Sequence, residues 1–397
     1  MTVLQQEQLT NLLKEYEEEM IQLRRYFHEN PELSFEEVNT PKTIAAFHRE
    51  LGHEVREGVG GSGVVAKLVG GKPGKTVALR ADFDALGITE ETGLPFQSKV
   101  KGRMHACGHD GHTASLLVLA KAFNRMKDEL AGTIVFIHQH AEEIAPGGAI
   151  AMIQDGCLEG VDVIFGTHLW APTELGKVQT AKGPLMAAAD GIYITIKGKG
   201  GHGSNPSDTK DSVVLAAQFI TNLQQLVARR INPLRPAVVS IGHLEAINPF
   251  NVIADQVYMK GTVRTFHEEE RGLLEREIEE LVKATCYLTK ADYEYEFVRG
   301  YPPVINHAAE TEHIMASAEK VADVEAVETV EPIMGGEDFA YYLQEIPGAF
   351  FFTGAKNPAW EEVYPHHHPK FDIDERALLI AANVLGQATL DYLANNK

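Results

Sequence analysis

The chain is poor in cysteine. Cys107, Cys157 and Cys286 are its three cysteines in 397 residues. They lie too far apart to build a disulfide framework, a usage that fits a reducing compartment. Positive charge is also scarce: 36 Lys and Arg against 56 Asp and Glu give a net charge of −20. Phosphate neutralisation needs clustered bases, so this balance argues against a nucleic-acid partner. No uninterrupted apolar run approaches the length of a membrane span. The opening MTVLQQEQLTNLLKEYEEEM lacks the basic and apolar stretches of a secretion signal. These absences lead to the expectation of a cytoplasmic protein with no membrane partner.

Several catalytic signatures are missing too. His28-Glu29 and His53-Glu54 are not followed by the second His of HExxH. Gly71–Lys75 is too short for a phosphate loop, and Gly58–Gly63 precedes a strand where a dinucleotide fingerprint would follow one. No G-x-S-x-G nucleophile elbow occurs.

What is present is an ordinary globular composition, 44% hydrophobic and 23% charged, at a length that suggests two domains. Residues 5–28 have the spacing of an amphipathic helix, PELSFEEVNT (31–40) reads as a turn, and a helix is expected from about Glu36 to Leu51. Short β-like runs at 63–69 and 76–82, a helix at 112–128, and apolar strands at 132–140 and 161–170 alternate as in a parallel sheet with crossover helices. Near Gly183 the pattern changes. Strand 191–200, helix 211–230, strands 237–246 and 255–266, helix 268–288 and strand 292–300 follow the ferredoxin-like split βαβ order. The expected fold is therefore α/β, with a largely parallel mixed sheet flanked by helices and an inserted ferredoxin-like α+β domain. The boundaries fall at 1–183 and 300–397 for the first domain and 184–299 for the second, with a closing helix from about Glu375 to Asn395.

Four segments are dense in metal-ligand types, each at a strand end or in the loop after it, where sites collect in open α/β sheets. Met104–His112 carries three His, one Cys and one Asp in a glycine-bearing stretch that opens a helix. Thiolate and imidazole suit zinc and the later first-row metals. His140-Ala141-Glu142-Glu143 ends an apolar strand. If strand geometry persists, its two acids point in different directions, one free to bind metal and the other to take a proton from water. Gly166–Trp170 offers His168. Pro365–Pro369 offers three consecutive His, of which at most two can reach one centre. A fifth segment, Gly198–Ser204, holds His202 in a glycine loop inside the second domain.

The set LRADFDAL (79–86), MHACGHDGHTA (104–114), HAEE (140–143), THLW (167–170), GKGGHGSNP (198–206), NVIADQVYMKGTVRTF (251–266), GGEDFAYY (335–342) and HHHPKF (366–371) resembles the M20 metallopeptidase superfamily, most closely its amidohydrolase branch. The resemblance runs in order over nearly the whole chain, and MHACGHDGHTA is its most specific part. It implies a catalytic α/β domain with an inserted ferredoxin-like domain that serves as lid and dimerisation surface. It implies a dinuclear centre held by Cys107, His109, Glu143, His168 and His367, the last by its H-x-P-x-F position. It implies Glu142 as catalytic base, His202 as the oxyanion-stabilising residue, and Asn251 and Arg264 as substrate contacts. The expected reaction is metal-dependent hydrolysis of the amide bond of small-molecule N-acyl amino acids, by a homodimer or higher homo-oligomer using zinc or manganese, with cobalt or nickel as further candidates. A dipeptidase or carboxypeptidase on the same site is the alternative, and a non-catalytic metal-binding protein a remoter one. His140 stands where relatives often carry Pro. Asp82 and Asp84 stand where other branches place a metal-binding His-x-Asp, and are expected behind the ligands.

Overall fold

The structure is a computed structural model that describes residues 3–396. It forms two compact units. The first comprises the chain up to Leu185, Ile305–Glu331, and the chain from Asp338 onward. The second comprises Met186–Val304 and Pro332–Glu337, so six residues of the returning chain belong to it.

The first unit is built on an eight-stranded sheet in the order Glu54–Val59, Gly63–Val69, Ala131–Gln139, Lys72–Asp82, Val163–Glu174, Gly348–Lys356, Lys177–Thr180, Ala326–Thr329. Lys72–Asp82 runs parallel to both neighbours, and Val163–Glu174 parallel to Gly348–Lys356. These inner strands are buried on both faces, which is why they read as continuous apolar runs. Phe136, Phe165 and Phe351 are wholly buried in the core, each a stabilisation of about 1.5–3 kcal/mol by transfer alone. Helices Glu17–Glu29, His109–Arg125 and Arg376–Asn395 pack together over the sheet. The last is long and apolar enough to cross a membrane, but it is a core helix, buried over 89% of its apolar window.

Register sets the site. Asp82 lies beside Gln139 and Arg80 beside Gly166. Two residues beyond Gly166, His168 therefore stands level with Asp82. Asp84 and His140–Glu143 follow the carboxyl ends of their strands, whereas His168, expected at a strand end, lies inside strand Val163–Glu174, paired with Phe352.

The second unit holds a four-stranded antiparallel sheet in the order Ala237–Glu245, Gln256–Thr265, Ala188–Lys197, Asp292–Tyr301. This is the ferredoxin-like arrangement. Ile192, Ile194 and Ile196 alternate inward against helices Ser212–Arg229 and Glu268–Tyr287. Asp211 caps the first of these helices, accepting from the N–H groups of Val213 at 3.0 Å and Val214 at 3.2 Å.

Two local expectations are corrected. The opening helix breaks at Tyr16 into Val3–Glu15 and Glu17–Glu29. The next helix starts at Asn39, not Glu36. Its late start has a cause: the Glu32 carboxylate accepts from the backbone N–H of Val38, Asn39 and Thr40 at 2.8–3.0 Å, so it supplies the cap from outside the helix.

Candidate metal centre

Cys107 and His109 are delivered by a turn. Gly108 has φ +96, a left-handed conformation that glycine adopts without strain, and helix His109–Arg125 begins directly after it. Gly111 lets that helix approach the sheet. A Cβ there would lie 2.6 Å from Leu169 Cδ1 and 2.8 Å from Leu378 Cδ2.

Cys107 Sγ lies 3.4 Å from His168 Nε2 and 3.8 Å from His366 Nδ1. On the other side, Cys107, His109 and Glu143 have donor atoms within 4.8 Å of one another, as do Cys107, His168 and His366. Cys107 thus belongs to both groups. His367 Nε2 is 3.3 Å from Glu143 Oε2, and its backbone N–H donates to Ala106 O at 2.8 Å. His367 has φ +66, so the histidine triplet reverses direction there and presents His366 and His367 to different partners. His368 turns away, stacked on Tyr364 at 4.6 Å. His366, like His368, is given no role by the reading of the triplet. Its other nitrogen accepts from Ala171 N–H at 3.2 Å and its ring stacks on Trp170.

The two acids behave differently from the strand-based expectation. The strand ends at Gln139, and Ala141 takes φ +52. Alternation stops there. Both carboxylates turn the same way, with Glu142 Oε2 at 3.9 Å and Glu143 Oε1 at 3.8 Å from His109 Nε2.

Behind these groups sit the aspartates. Asp84 accepts from His109 Nδ1 through its backbone O at 3.0 Å and Oδ1 at 3.2 Å, which leaves Nε2 pointing into the centre. Asp82 Oδ1 pairs with His112 Nδ1 at 2.6 Å, and His112 Nε2 accepts from Leu169 N–H at 2.9 Å. With both nitrogens engaged, His112 is a scaffold and not a ligand. Arg80 reaches Asp82 at 2.6 Å and Asp338 at 2.9 Å, and Gln139 joins the same buried network.

The electrostatics ask for a cation. Burial opposes a charge on His109, yet Asp82, Asp84 and Glu143 outweigh it and push the imidazole up to about 10. Burial first, then Glu143, Glu142 and Asp82, hold the Cys107 thiol well above its ordinary value. Burial keeps His168 and His366 neutral, the latter near 3. His109 Nε2 and Glu143 Oε1 are buried with no hydrogen-bond partner among the described residues. Orphaned donor atoms, neutral imidazoles and surplus negative charge are what a divalent ion satisfies, and the thiolate, imidazole and carboxylate set suits zinc or a neighbouring transition metal.

His202, Asn251 and Arg264 lie in the second unit. His202 pairs with Val252 across a two-residue ladder, and Gly203 N–H donates to Asn251 O at 2.8 Å, so the first two are neighbours. The His202 side chain is exposed, its Nδ1 taking the Ser204 N–H and lying 2.8 Å from the Ser204 hydroxyl. Arg264 sits on strand Gln256–Thr265, half-buried against Thr262 Oγ1 and Val263 O, with burial lowering its pKa.

This fold and centre define a metal-dependent hydrolase acting on amide bonds, and comparison with known proteins agrees. Residues 78–391 match Peptidase family M20/M25/M40, and the chain belongs to that family. It is 55% identical over 375 residues to "Putative amidohydrolase YhaA" of Bacillus subtilis, covering 94% of this chain and 95% of the other. It is 46% identical to an N-acyl-L-amino acid amidohydrolase of Geobacillus stearothermophilus, covering 76% of this chain and 81% of that one. The crystal structure of the Bacillus subtilis protein YXEP, described as a dinuclear metal-binding peptidase of family M20, superposes with a TM-score of 0.83 at 37% identity, covering 96% and 99% of the two chains.

Proposed function

We propose that the chain hydrolyses the amide bond of N-acyl amino acids, as a cytoplasmic homodimer or higher homo-oligomer. The observation that carries the reading is the convergence of Cys107, His109, Glu143, His168 and His367 with a second carboxylate, Glu142, held within 3.9 Å of His109. A purely structural metal site needs no spare base. The similarity to an N-acyl-L-amino acid amidohydrolase supports this substrate class. Three buried, free cysteines support a reducing compartment.

Cys107, His109, Glu143, His168 and His367 would hold two divalent ions, zinc or manganese first among the candidates and cobalt or nickel next. Bound there, the ions polarise the amide carbonyl and lower the pKa of water. Glu142 takes the proton of the attacking water and delivers it to the leaving amine nitrogen. His202 donates to the oxyanion that develops on the carbonyl. Arg264 pairs with the carboxylate of the amino-acid half, and Asn251 contacts the substrate beside it.

The test is release of free amine from N-acetyl and N-benzoyl amino acids and from dipeptides, on chelator-treated protein with each metal restored. Metal-dependent cleavage of the N-acyl amino acids is expected. Cleavage confined to dipeptides would replace this reading with the peptidase one.

A further inference from the structure

The loop PELSFEEVNT contributes none of the residues above, yet it touches the centre from behind at two points. We propose that this loop is a positioning clamp for the carboxylates of the centre, with Ser34 fixing Asp84 behind His109 and Glu37 fixing the Ala141 turn that aims the base Glu142 and the ligand Glu143. The proposal rests on the roles given above to Glu142 and Glu143.

The geometry is specific. Ser34 Oγ donates to Asp84 Oδ2 at 2.7 Å, and the same oxygen accepts from the Glu143 backbone N–H at 3.0 Å. Asp84 Oδ1 faces His109 Nδ1. One carboxylate therefore sets both His109 and the backbone of Glu143, and Ser34 sets that carboxylate. Glu37, 5% exposed, uses Oε1 to accept from the Ala141 N–H at 2.9 Å. A non-glycine residue at φ +52 is strained, and persists where its surroundings over-determine it. The Glu37 hydrogen bond is one such constraint, placed on the residue before Glu142. The loop is itself fixed: Ala85 N–H donates to Glu32 O at 2.8 Å, and the Glu32 carboxylate holds the start of helix Asn39–Glu50. Phe35, at φ +64, sets its ring edge-on to His140 at 6.0 Å.

A loop that only stabilised the fold would change melting temperature and leave the chemistry alone. A clamp changes metal affinity and kcat. The test uses the full chain as Ser34→Ala, Glu37→Ala and Glu37→Gln. Zinc affinity is read by competition with a chromogenic chelator, and kcat and KM are read on the best N-acyl amino acid. Ser34→Ala is expected to weaken zinc binding about tenfold or more, the usual effect of losing a partner behind a ligand. Glu37→Ala is expected to lower kcat at least about tenfold with KM little changed, because the base and ligand lose their aim while the substrate pocket stays. Glu37→Gln is expected to restore most of the loss, since its amide oxygen still accepts from Ala141. Wild-type zinc affinity in Ser34→Ala together with wild-type kcat in Glu37→Ala would overturn the clamp. So would a Glu37→Gln as damaged as Glu37→Ala. If Glu37→Ala does not fold, Ser34→Ala and Glu37→Gln decide. A wild type silent on every substrate, with zinc binding still weakened in Ser34→Ala, would sink the substrate reading and support the clamp.

Discussion

Two groups of buried histidines can be set side by side in the first unit. One contains His109, His112 and His168. The other is a chain in which His48 meets His53 Nδ1 and His138 Nε2, each at 3.0 Å. The first group comes from helix His109–Arg125 and strand Val163–Glu174, the second from helix Asn39–Glu50, the turn after it and strand Ala131–Gln139. Their electrostatics part at His109, while burial holds His112 and His168 low like the second group. Carboxylates surround His109 and push it up to about 10. The second group is packed against Phe136 and Phe47, with Asn124 and Lys127 as further neighbours of His53. Burial alone drives His138 to about 3, and burial, with Lys127 adding to it and Asn124 opposing it, drives His53 to about 4. Clustered histidine is thus not a metal site by itself. Without anions, imidazoles settle as neutral hydrogen-bond partners; with Glu142, Glu143, Asp82 and Asp84 beside it, His109 joins a candidate cation site.

The comparison can be broken most severely at the carboxylates. Glu142→Gln is expected to keep its metals and lose about 10²–10⁴ in kcat, measured by steady-state amidohydrolysis beside elemental analysis. Near-normal turnover would remove Glu142 as the base. Next in size is Asp84→Asn, which weakens the hold on His109 and on the Glu143 backbone. Metal affinity should fall about 10–100-fold, as seen by calorimetric titration. The smallest effect belongs to the second histidine group. Its folded pKa values lie below the unfolded 6.5, so the unfolded chain takes up protons first. The stability the group contributes is therefore complete above pH 6.5 and is lost as pH falls from there towards 4. The thermal midpoint should drop by a few degrees over that window, and His53→Asn should flatten the drop. A midpoint with the same pH slope in His53→Asn would show that the group does not titrate as described.

Much of this was legible in the sequence. Period-2 alternation of Ile192, Ile194 and Ile196 and the long apolar runs of the inner strands announce two different sheets, because burial on one face or on two leaves different patterns. MHACGHDGHTA marks Cys107 and His109 as candidate ligands at close spacing. What stayed hidden depends on backbone turns and long-range pairing. Alternation would part Glu142 and Glu143 if the strand persisted; it ends at Gln139, and the left-handed Ala141 makes them converge. The H-x-P-x-F position singles out His367, which meets Glu143, but gives no sign that His366 would meet Cys107, an arrangement set by φ +66 at His367 and by Trp170 beneath His366. Ser34 and Glu37 sit 50 and 104 residues from the groups they hold, within an unremarkable turn sequence. The break at Tyr16 leaves the amphipathic period intact on both sides, so periodicity alone joined the two helices.

The most direct test of the account is the number of metal ions bound per chain in wild type, Glu143→Ala and His53→Asn, measured by inductively coupled plasma mass spectrometry after dialysis. Two ions are expected in wild type and in His53→Asn, and fewer in Glu143→Ala. A Glu143→Ala chain that keeps both ions, or a His53→Asn chain that loses one, would contradict the claim that the acid-lined histidines are the metal centre.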